Sequence, residues 1–215
     1  MTKPVIVLGG GGHAKVLIAI LRRLNCRLLG IVDPNQTRGQ QVHGLNVLGA
    51  DNAIFDYSNA EIELVNGVGS LPKDKGLRAC LFNTFNAQGY RFKTVIDPTA
   101  LIAEDVELSH GVQVMTGVII QVGAKIAENT ILNSGAIIEH DCRIGRHVHI
   151  APGAILSGAV NVSDHVHIGT GATIIQGISI GANSIIGAGS AITQDIAYNQ
   201  IVYPPRPRIE SIKEQ

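Results

Sequence analysis

The chain has 215 residues, 45% hydrophobic and 16% charged, so it can bury one large core or two smaller ones, and this composition argues against disorder. Lys and Arg number 17, as do Asp and Glu, which argues against a nucleic-acid or anionic-membrane partner. The N-terminus does not fit a signal peptide, and no apolar run reaches the roughly 18 residues of a membrane span. Cys26, Cys80 and Cys142 are widely spaced without a metal-ligand pattern, so we expect reduced thiols in a cytoplasmic protein.

Residues 1–95 alternate between strand-like and helix-like patterns. Short apolar runs bounded by turn residues predict strands, and apolar residues at helical spacing predict helices. This alternation favours a parallel sheet covered by helices, so we predict a small Rossmann-like α/β domain. The predicted strands are Val5–Leu8, Arg27–Val32, Ile62–Val68 and Phe92–Ile96, and the predicted helices are His13–Leu24 and Leu77–Ala87.

From Ile96 onwards, an aliphatic residue occurs every six positions without a change of phase. A six-residue period scatters side chains around an α-helix but keeps them on one face of a strand. Gly, Asn or Asp often stands three positions after each aliphatic residue, where a corner with positive φ would be tolerated. This repeat predicts a β-helix over residues 96–196, followed by a tail over 197–215. The aliphatic positions are Ile96, Ile102, Leu108, Val114, Ile120, Ile126, Leu132, Ile138, Ile144, Ile150, Leu156, Val162, Ile168, Ile174, Ile180, Ile186 and Ile192.

A glycine-rich turn follows the first predicted strand. Gly9-x-Gly11-x-x-Ala14, with Asp33 ending the next strand, matches the dinucleotide fingerprint and leaves NAD-dependent chemistry as an alternative. A domain of fewer than 100 residues is too small for both halves of that fold, so we favour a single nucleotide. Amides at the helix N-terminus would hold its diphosphate, and Asp33 would bind a ribose or base hydroxyl.

The pair His140-Asp141 lies at a corner of one repeat, where side chains point away from the aliphatic stack. A histidine suits a general base near neutral pH, and an adjacent carboxylate can orient its ring. The alternatives are a solvated corner histidine and an aspartate that only forms the turn. Cys142 falls on an inward position, so we expect packing rather than a nucleophile.

Two further histidine pairs, His147/His149 and His165/His167, recur one 18-residue turn apart. Stacked imidazoles can bind a metal, which keeps a metal-binding or non-catalytic protein as an alternative. The sequence offers no third ligand for them, so no metal is expected.

The glycine loop ending in His13, the run Ile31-Val32-Asp33 and the segment Ile138–Gly145 together resemble hexapeptide-repeat acyltransferases. They look most like the UDP-4-amino-sugar N-acetyltransferases of bacillosamine-type pathways and are similar to sialic acid O-acetyltransferases. The resemblance implies a left-handed coil, a homotrimer, acetyl-CoA as co-substrate and a UDP-amino-sugar as acceptor. The expected reaction is N-acetylation of the 4-amino group of a UDP-4-amino-4,6-dideoxy-N-acetyl-hexosamine, with O-acetylation of sialic acid or another surface sugar as the alternative.

The resemblance also assigns residues. His140 is the expected base and Asp141 its partner. His149 would contact the acetyl group, and backbone at Gly158, Thr170 and Ala188 would hold the pantetheine arm. The residues expected at the sugar nucleotide are Gly11, Gly12, His13, Asp33, Pro34 and Gly69. Because flat β faces offer no deep cleft, and His140 and His149 are half a turn apart, we expect sites shared between subunits.

Overall fold

The computed structural model describes residues 3–72 and 76–204. A small α/β domain precedes a left-handed parallel β-helix, which confirms the predicted fold class. None of the helices in these two ranges has the length and hydropathy that crossing a bilayer requires.

The α/β domain is built around one mainly parallel sheet. Its elements are β1 (Val5–Leu8), α1 (Gly12–Arg23), β2 (Leu28–Val32), β3 (Gln41–Val42), β4 (Leu45–Gly49), a 3₁₀ helix (Asp51–Asp56), β5 (Glu63–Asn66) and α2 (Leu77–Ala87). The strand order is β3-β4-β2-β1-β5. Strand β1 is fully buried and pairs in parallel with β2 and β5, as expected for alternating strands and helices.

The sequence analysis missed the β3–β4 hairpin. Its turn, His43-Gly44, has φ of 52° and 71° at the two residues, which is typical of a type I′ turn. An X-Gly pair between two short apolar runs was the available signal, but histidine is an unusual first residue for such a turn. Phe92 forms only an isolated bridge with Leu64, so the extended segment predicted at Phe92–Ile96 is a strand only at its end.

The β-helix consists of two-residue strands arranged on three faces. The seven-stranded face contains β6 (Val95–Ile96), β9 (Gln113–Val114), β12 (Ile131–Leu132), β15 (His149–Ile150), β18 (His167–Ile168), β21 (Ile185–Ile186) and β23 (Ile201–Val202). The six-stranded face contains β7 (Leu101–Ile102), β10 (Ile119–Ile120), β13 (Ile137–Ile138), β16 (Ile155–Leu156), β19 (Thr173–Ile174) and β22 (Ala191–Ile192). The five-stranded face contains β8 (Glu107–Leu108), β11 (Lys125–Ile126), β14 (Arg143–Ile144), β17 (Asn161–Val162) and β20 (Ser179–Ile180).

Every aliphatic position of the predicted repeat is the second residue of a strand, and most of these side chains are buried inside the coil. Ile119 pairs with Ile137, and Ile137 with Ile155, so one coil takes 18 residues. The corners between the faces carry left-handed residues, mostly Gly or Asn, as the repeat predicted. The first residue of each strand points outward and gives each face its chemical character.

The repeat changes phase only at its C-terminal end. Ile185 pairs with Ile201, which makes the last coil two residues shorter than the others. Strand β23 therefore belongs to the seven-stranded face, although it lies beyond the boundary predicted at residue 196. The remainder of the predicted tail, residues 205–215, lies outside the described residues.

The two parts of the chain are packed tightly against each other. One hydrophobic cluster runs from Val5 and Leu17 of the α/β domain to the interior of the coil. The buried carboxylate of Asp97, just after β6, forms an ion pair with Arg23 at the end of α1. Continuous packing of this kind holds the glycine loop in a fixed position relative to the seven-stranded face.

Candidate active site

A cavity of about 580 Å³ with a mainly apolar lining lies where the α/β domain meets the seven-stranded face. The α/β domain contributes the glycine loop, the end of β2 and the segment after β5. The β-helix contributes Met115, Asn133, Ser134 and His149. The cavity contains all the residues predicted for the sugar nucleotide, namely Gly11, Gly12, His13, Asp33, Pro34 and Gly69. Their grouping in one cavity is consistent with that prediction, while their individual roles stay predictions.

The glycine loop is held by Asp33 beneath it. One carboxylate oxygen of Asp33 accepts a hydrogen bond from the Gly10 amide and the other from the Asn35 amide, both at 2.8 Å. Because both oxygens already have partners, Asp33 shapes the cavity as well as lining it. Gly9 has φ of +82°, whereas Gly11 has φ of −76° and is the N-cap of α1.

The N-terminus of α1 is open toward the cavity. Gly11 and Gly12 are exposed, and a Cβ on either would meet nothing within 4 Å. Neither position therefore needs glycine for its backbone conformation. What glycine provides here is access, because a ligand can approach the free amides of the first helical turn, where anions are favoured.

His13, in the first turn of α1, is neutral and anchored. Its Nε2 lies 2.7 Å from Oε1 of Gln113 on β9. Burial, reinforced by the nearby Arg78 guanidinium, lowers the pKa of His13 to about 4. At neutral pH the imidazole is therefore uncharged and can act as a hydrogen-bond partner, but not as a cation.

His149, the first residue of β15, is buried and held at both ring nitrogens. Its Nδ1 lies 2.8 Å from the carbonyl oxygen of Ser70, which can only accept, so Nδ1 carries the proton. Its Nε2 lies 3.2 Å from the Asn133 amide nitrogen, which donates to it. Burial, together with His167 nearby, lowers the pKa of His149 to about 3. His149 thus joins the β-helix to the loop after β5, and its predicted contact with an acetyl group stays a prediction.

His140 and Asp141 form the turn between the six-stranded and five-stranded faces. Their side chains are exposed, and Nδ1 of His140 lies 2.9 Å from Oδ2 of Asp141. Asp141 has φ of 59°, a left-handed conformation that the corner requires. The carboxylate accepts only, so it fixes the proton on Nδ1 and leaves Nε2 with a free lone pair.

Gly158 lies one coil below His140 and directly beneath its ring. A Cβ at position 158 would overlap the imidazole at Nε2. Within this chain Gly158 lies against the imidazole of His140, and its predicted contact with a pantetheine arm stays a prediction. Glycine at this position leaves room for the imidazole beside the coil.

The remaining predicted cofactor residues lie at another corner. Thr170 is in the turn between β18 and β19, with Ala188 one coil below it, and both are exposed. Their corner joins the seven-stranded face, which carries His149, to the six-stranded face. Within one chain, the predicted site is therefore split, with His140, Asp141 and Gly158 on one edge of the six-stranded face and Thr170 and Ala188 on the other.

Cys142 and the paired histidines do not add a second reactive site. The Cys142 thiol is buried, and burial raises its pKa to about 11, which suits the expected packing role. His147 stacks on His165 with ring centroids 4.8 Å apart, and His149 meets His167 edge to face at 4.9 Å. Across residues 3–72 and 76–204, no group of three or more potential metal ligands is found.

Four residues around the cavity escaped the sequence analysis: Gln113, Asn133, Asn66 and Arg78. Gln113, Asn66 and Arg78 are buried, and they are joined by hydrogen bonds between the two parts of the chain. A glutamine at a strand position was the only available signal for Gln113, because neighbouring coils carry Val95 and Ile131 there. Asn133 follows a strand in a repeat where polar residues are common, so nothing in the sequence distinguished it.

Comparison with known proteins gives two family matches. Residues 4–73 match the PglD N-terminal domain, and residues 123–158 match the bacterial transferase hexapeptide family of six repeats. Among proteins with curated functions, none matches this sequence.

Solved structures match the whole architecture. A histidine-to-asparagine variant of perosamine N-acetyltransferase from Caulobacter crescentus, in complex with CoA and GDP-perosamine, is 33% identical, with a TM-score of 0.85 over 94% of this chain and 93% of that chain. The acetyltransferase domain of PglB from Neisseria gonorrhoeae, in complex with acetyl coenzyme A, is 28% identical, with a TM-score of 0.85 over 97% and 100%. WeeI from Acinetobacter baumannii, at 23% identity, a TM-score of 0.83 and coverage of 93% and 96%, shares the fold.

The identity and coverage shown by the Caulobacter enzyme, together with both family matches, establish the family. They also agree with the open helix terminus, the cavity and the exposed histidine–aspartate pair described above. The chain belongs to the hexapeptide-repeat sugar N-acetyltransferases with a PglD-type N-terminal domain, and it is an acetyl-CoA-dependent sugar acetyltransferase.

Proposed function

We propose that this enzyme transfers an acetyl group from acetyl-CoA to the 4-amino group of a UDP-4-amino-4,6-dideoxy-N-acetyl-hexosamine, as in bacillosamine-type pathways. The observation that carries the chemical part of this proposal is the His140–Asp141 pair, with Nδ1 bonded to the carboxylate at 2.9 Å. A neutral imidazole held in this tautomer presents Nε2 as the proton acceptor. The metabolite acetyl-CoA and nucleotide sugars are cytoplasmic, so we also place the enzyme in the cytoplasm.

His140 acts as a general base in a direct attack. The amine nitrogen bonds to the thioester carbonyl carbon while Nε2 of His140 takes the proton that this nitrogen loses. The C–S bond then breaks and the proton held at Nε2 of His140 passes to the departing sulfur, so CoA leaves as a thiol and no acyl-enzyme is formed. Asp141 stabilises the resulting imidazolium, as the third member of a catalytic triad does. Buried Cys142, with its raised pKa, is unsuited to act as a nucleophile.

The acceptor nucleotide occupies the cavity between the domains. Its diphosphate lies against the open amides at Gly11 and Gly12, where the helix N-terminus favours negative charge. The nucleoside extends toward Asp33 and Pro34, and the sugar toward His13 and Gly69. Every one of these residues lines the cavity.

The active form is a homotrimer whose sites lie between subunits. Outward residues of the six-stranded face include Leu101, Ile119, Ile137 and Ile155, whereas those of the five-stranded face are Glu107, Lys125, Arg143, Asn161 and Ser179. Leu101 is 66% exposed and Ile155 is 37% exposed. The four aliphatic side chains of the six-stranded face form one contiguous column, and its exposure to water is unfavourable. His140 flanks this column on one side and Thr170 on the other. Packing the column against a second copy brings the His140 corner of one chain toward the other chain's cavity.

Subunit mixing tests the shared site. His140→Ala and His149→Ala chains, each expected to be inactive alone, are dissociated, mixed and reassembled, and the mixture is expected to recover activity. Unmixed samples treated identically are the control. Failure to recover activity, or a fully active monomer by light scattering under assay conditions, would refute sharing.

A thiol-release assay tests the acceptor. Acetyl-CoA is offered with UDP-4-amino-4,6-dideoxy-N-acetylglucosamine, GDP-perosamine or sialic acid, and release of free CoA is followed. We expect the largest kcat/KM with the UDP-amino-sugar. GDP-perosamine is the second candidate, because the 33%-identical Caulobacter enzyme was crystallised with it. Preference for sialic acid would replace N-acetylation by O-acetylation.

A further inference from the structure

A buried hydrogen-bond chain links the β-helix to the wall of the nucleotide cavity. Gln113, on the seven-stranded face, is 1% exposed and reaches across the domain junction in two directions. Its amide nitrogen donates to the carbonyl oxygen of Asn66 at 2.8 Å, and its Oε1 lies 2.7 Å from Nε2 of His13. The carbonyl of Asn66 is itself held by the Arg78 guanidinium at 2.9 Å.

This chain determines which nitrogen of His13 carries the proton. A backbone carbonyl only accepts, so the NH₂ of Gln113 must face Asn66 and its oxygen must face His13. The oxygen in turn needs a donor, so the proton of His13 is on Nε2. Nδ1 is left as an acceptor, and it makes no hydrogen bond to the part of the chain that the structure describes.

We propose that Gln113 is a positioning residue that fixes His13 as a hydrogen-bond acceptor, and that His13 selects acceptor substrates carrying a hydroxyl or amide N–H on the sugar. This inference rests on the proposed binding of a nucleotide sugar in the cavity. An uncharged acceptor nitrogen repels phosphate oxygens, so His13 complements the anion site at the helix N-terminus rather than forming part of it. Its partner on the ligand is therefore the sugar and not the diphosphate.

The test uses two substitutions of Gln113. Gln113→Met keeps the length of the side chain and removes the acceptor, so Nε2–H is no longer preferred. Gln113→Glu places a carboxylate beside Nε2 and favours the imidazolium, which turns Nδ1 into a donor. Asn66 keeps its bond from Arg78 in both variants, so the fold is expected to persist. Gln88→Met, on the exposed end of α2, is the matched control.

Ring ¹⁵N shifts of labelled histidine report the tautomer in the free protein, with His13 assigned by its absence from a His13→Asn variant. Wild type should show the neutral Nε2–H form, Gln113→Met a mixture, and Gln113→Glu a charged ring. Calorimetry then measures binding of UDP and of UDP-4-amino-4,6-dideoxy-N-acetylglucosamine. One lost hydrogen bond should weaken the sugar nucleotide about ten-fold and leave UDP within about two-fold. In turnover, KM for the sugar nucleotide should rise about ten-fold with kcat nearly unchanged.

Each outcome decides the proposal. An unchanged His13 tautomer in both variants would show that Gln113 does not set it. If the tautomer changes but the affinity for the sugar nucleotide does not, His13 does not contact the sugar. The same conclusion follows if the affinity for UDP falls as much as the affinity for the sugar nucleotide. If wild type binds neither UDP- nor GDP-linked amino sugars, the proposed function itself fails, and this is seen before any variant is made.

Discussion

Two histidines on the same β-helix, His140 and His149, are held in opposite ways. His140 lies exposed at a corner, with Nδ1 bonded to its neighbour Asp141. His149 lies on the seven-stranded face, buried beneath the α/β domain and bonded at both ring nitrogens. Burial lowers the pKa of His149 to about 3. One residue type on one repeat thus provides an accessible proton acceptor at one place and a fixed, neutral structural group at another.

His140 and His149 differ because the α/β domain covers His149 and leaves His140 exposed. A histidine on an uncovered corner keeps its solvation and one unused nitrogen, both of which proton transfer needs. A histidine covered by a second domain loses its charge and becomes a hydrogen-bonding link. The α/β domain therefore determines which of the repeat's histidines are available for chemistry.

The sharpest test of this contrast is His140→Ala. Removal of a general base should lower kcat by about 10²–10⁴-fold while the melting temperature stays near that of wild type, because the side chain is exposed. Thiol release at neutral pH and thermal melting measure the two effects. Turnover near the wild-type value would show that His140 is only a corner residue.

Gly158→Ala tests whether the position of the His140 ring matters. The new methyl group would overlap the imidazole and force it away from the coil, and a displacement of about 1 Å can cost about 10²-fold in rate. We expect kcat to fall about 10–100-fold with little change in melting temperature. Gln176→Ala, one coil further along the same column, is the control. Equal activity of Gly158→Ala and wild type would contradict this role.

Asp141→Asn separates two effects of Asp141 on His140, the orientation of the ring and the negative charge beside it. Asparagine tolerates the left-handed backbone of this corner and can still accept from Nδ1–H, so only the charge is lost. Turnover should fall about ten-fold, less than in His140→Ala. The measurement is thiol release at neutral pH. Turnover equal to that of wild type would leave Asp141 as a turn residue.

Acid should lower the stability of the fold where histidines are buried between the α/β domain and the β-helix. The pKa values of His13 and His147 are lowered to about 4 and that of His149 to about 3, in each case mainly by burial. Since these rings have an unfolded pKa near 6.5, the unfolded chain binds more protons between about pH 6.5 and 4. Stability is therefore full above about pH 6.5 and is lost as the pH falls through this window. The melting temperature should drop by several degrees between pH 7.5 and 5.

His147→Gln removes one of these titrating rings and keeps an acceptor for the Asn129 amide, which lies 2.9 Å from Nδ1 of His147. Its melting temperature should fall less between pH 7.5 and 5 than that of wild type. A melting temperature independent of pH in both proteins would mean that burial of the histidines carries no such penalty.

Much of the architecture could be read from local patterns. The six-residue aliphatic period gave the strands of the coil, because every inward position faces the same kind of interior. Helix Leu77–Ala87 has the bounds that were predicted for it. The hairpin turn at His43-Gly44 and the shortened last coil were missed, because an unusual turn residue and a two-residue deletion leave no periodic signal.

The site was predictable to the extent that its residues carry their own chemistry. For His140 next to Asp141, and for a glycine loop before a helix, sequence proximity alone predicts a function and places the residues where the structure has them. Gln113 and Asn133 could not be found in this way, since their importance lies in contacts with His13 and His149, which are distant in sequence or on another strand. A polar side chain in a repeat acquires its role from what packs against it.

The sequence by itself determined the repeat, the order of the two domains and the place of the His140–Asp141 pair at a corner, because each depends on neighbouring residues and a fixed period. Only the tertiary structure decided which histidines are buried, that Gly158 lies beneath the His140 ring, and that the predicted site residues occupy two edges of one face. Burial and protonation depend on the docking of the α/β domain against the coil, and that docking is set by side chains that are far apart in the sequence.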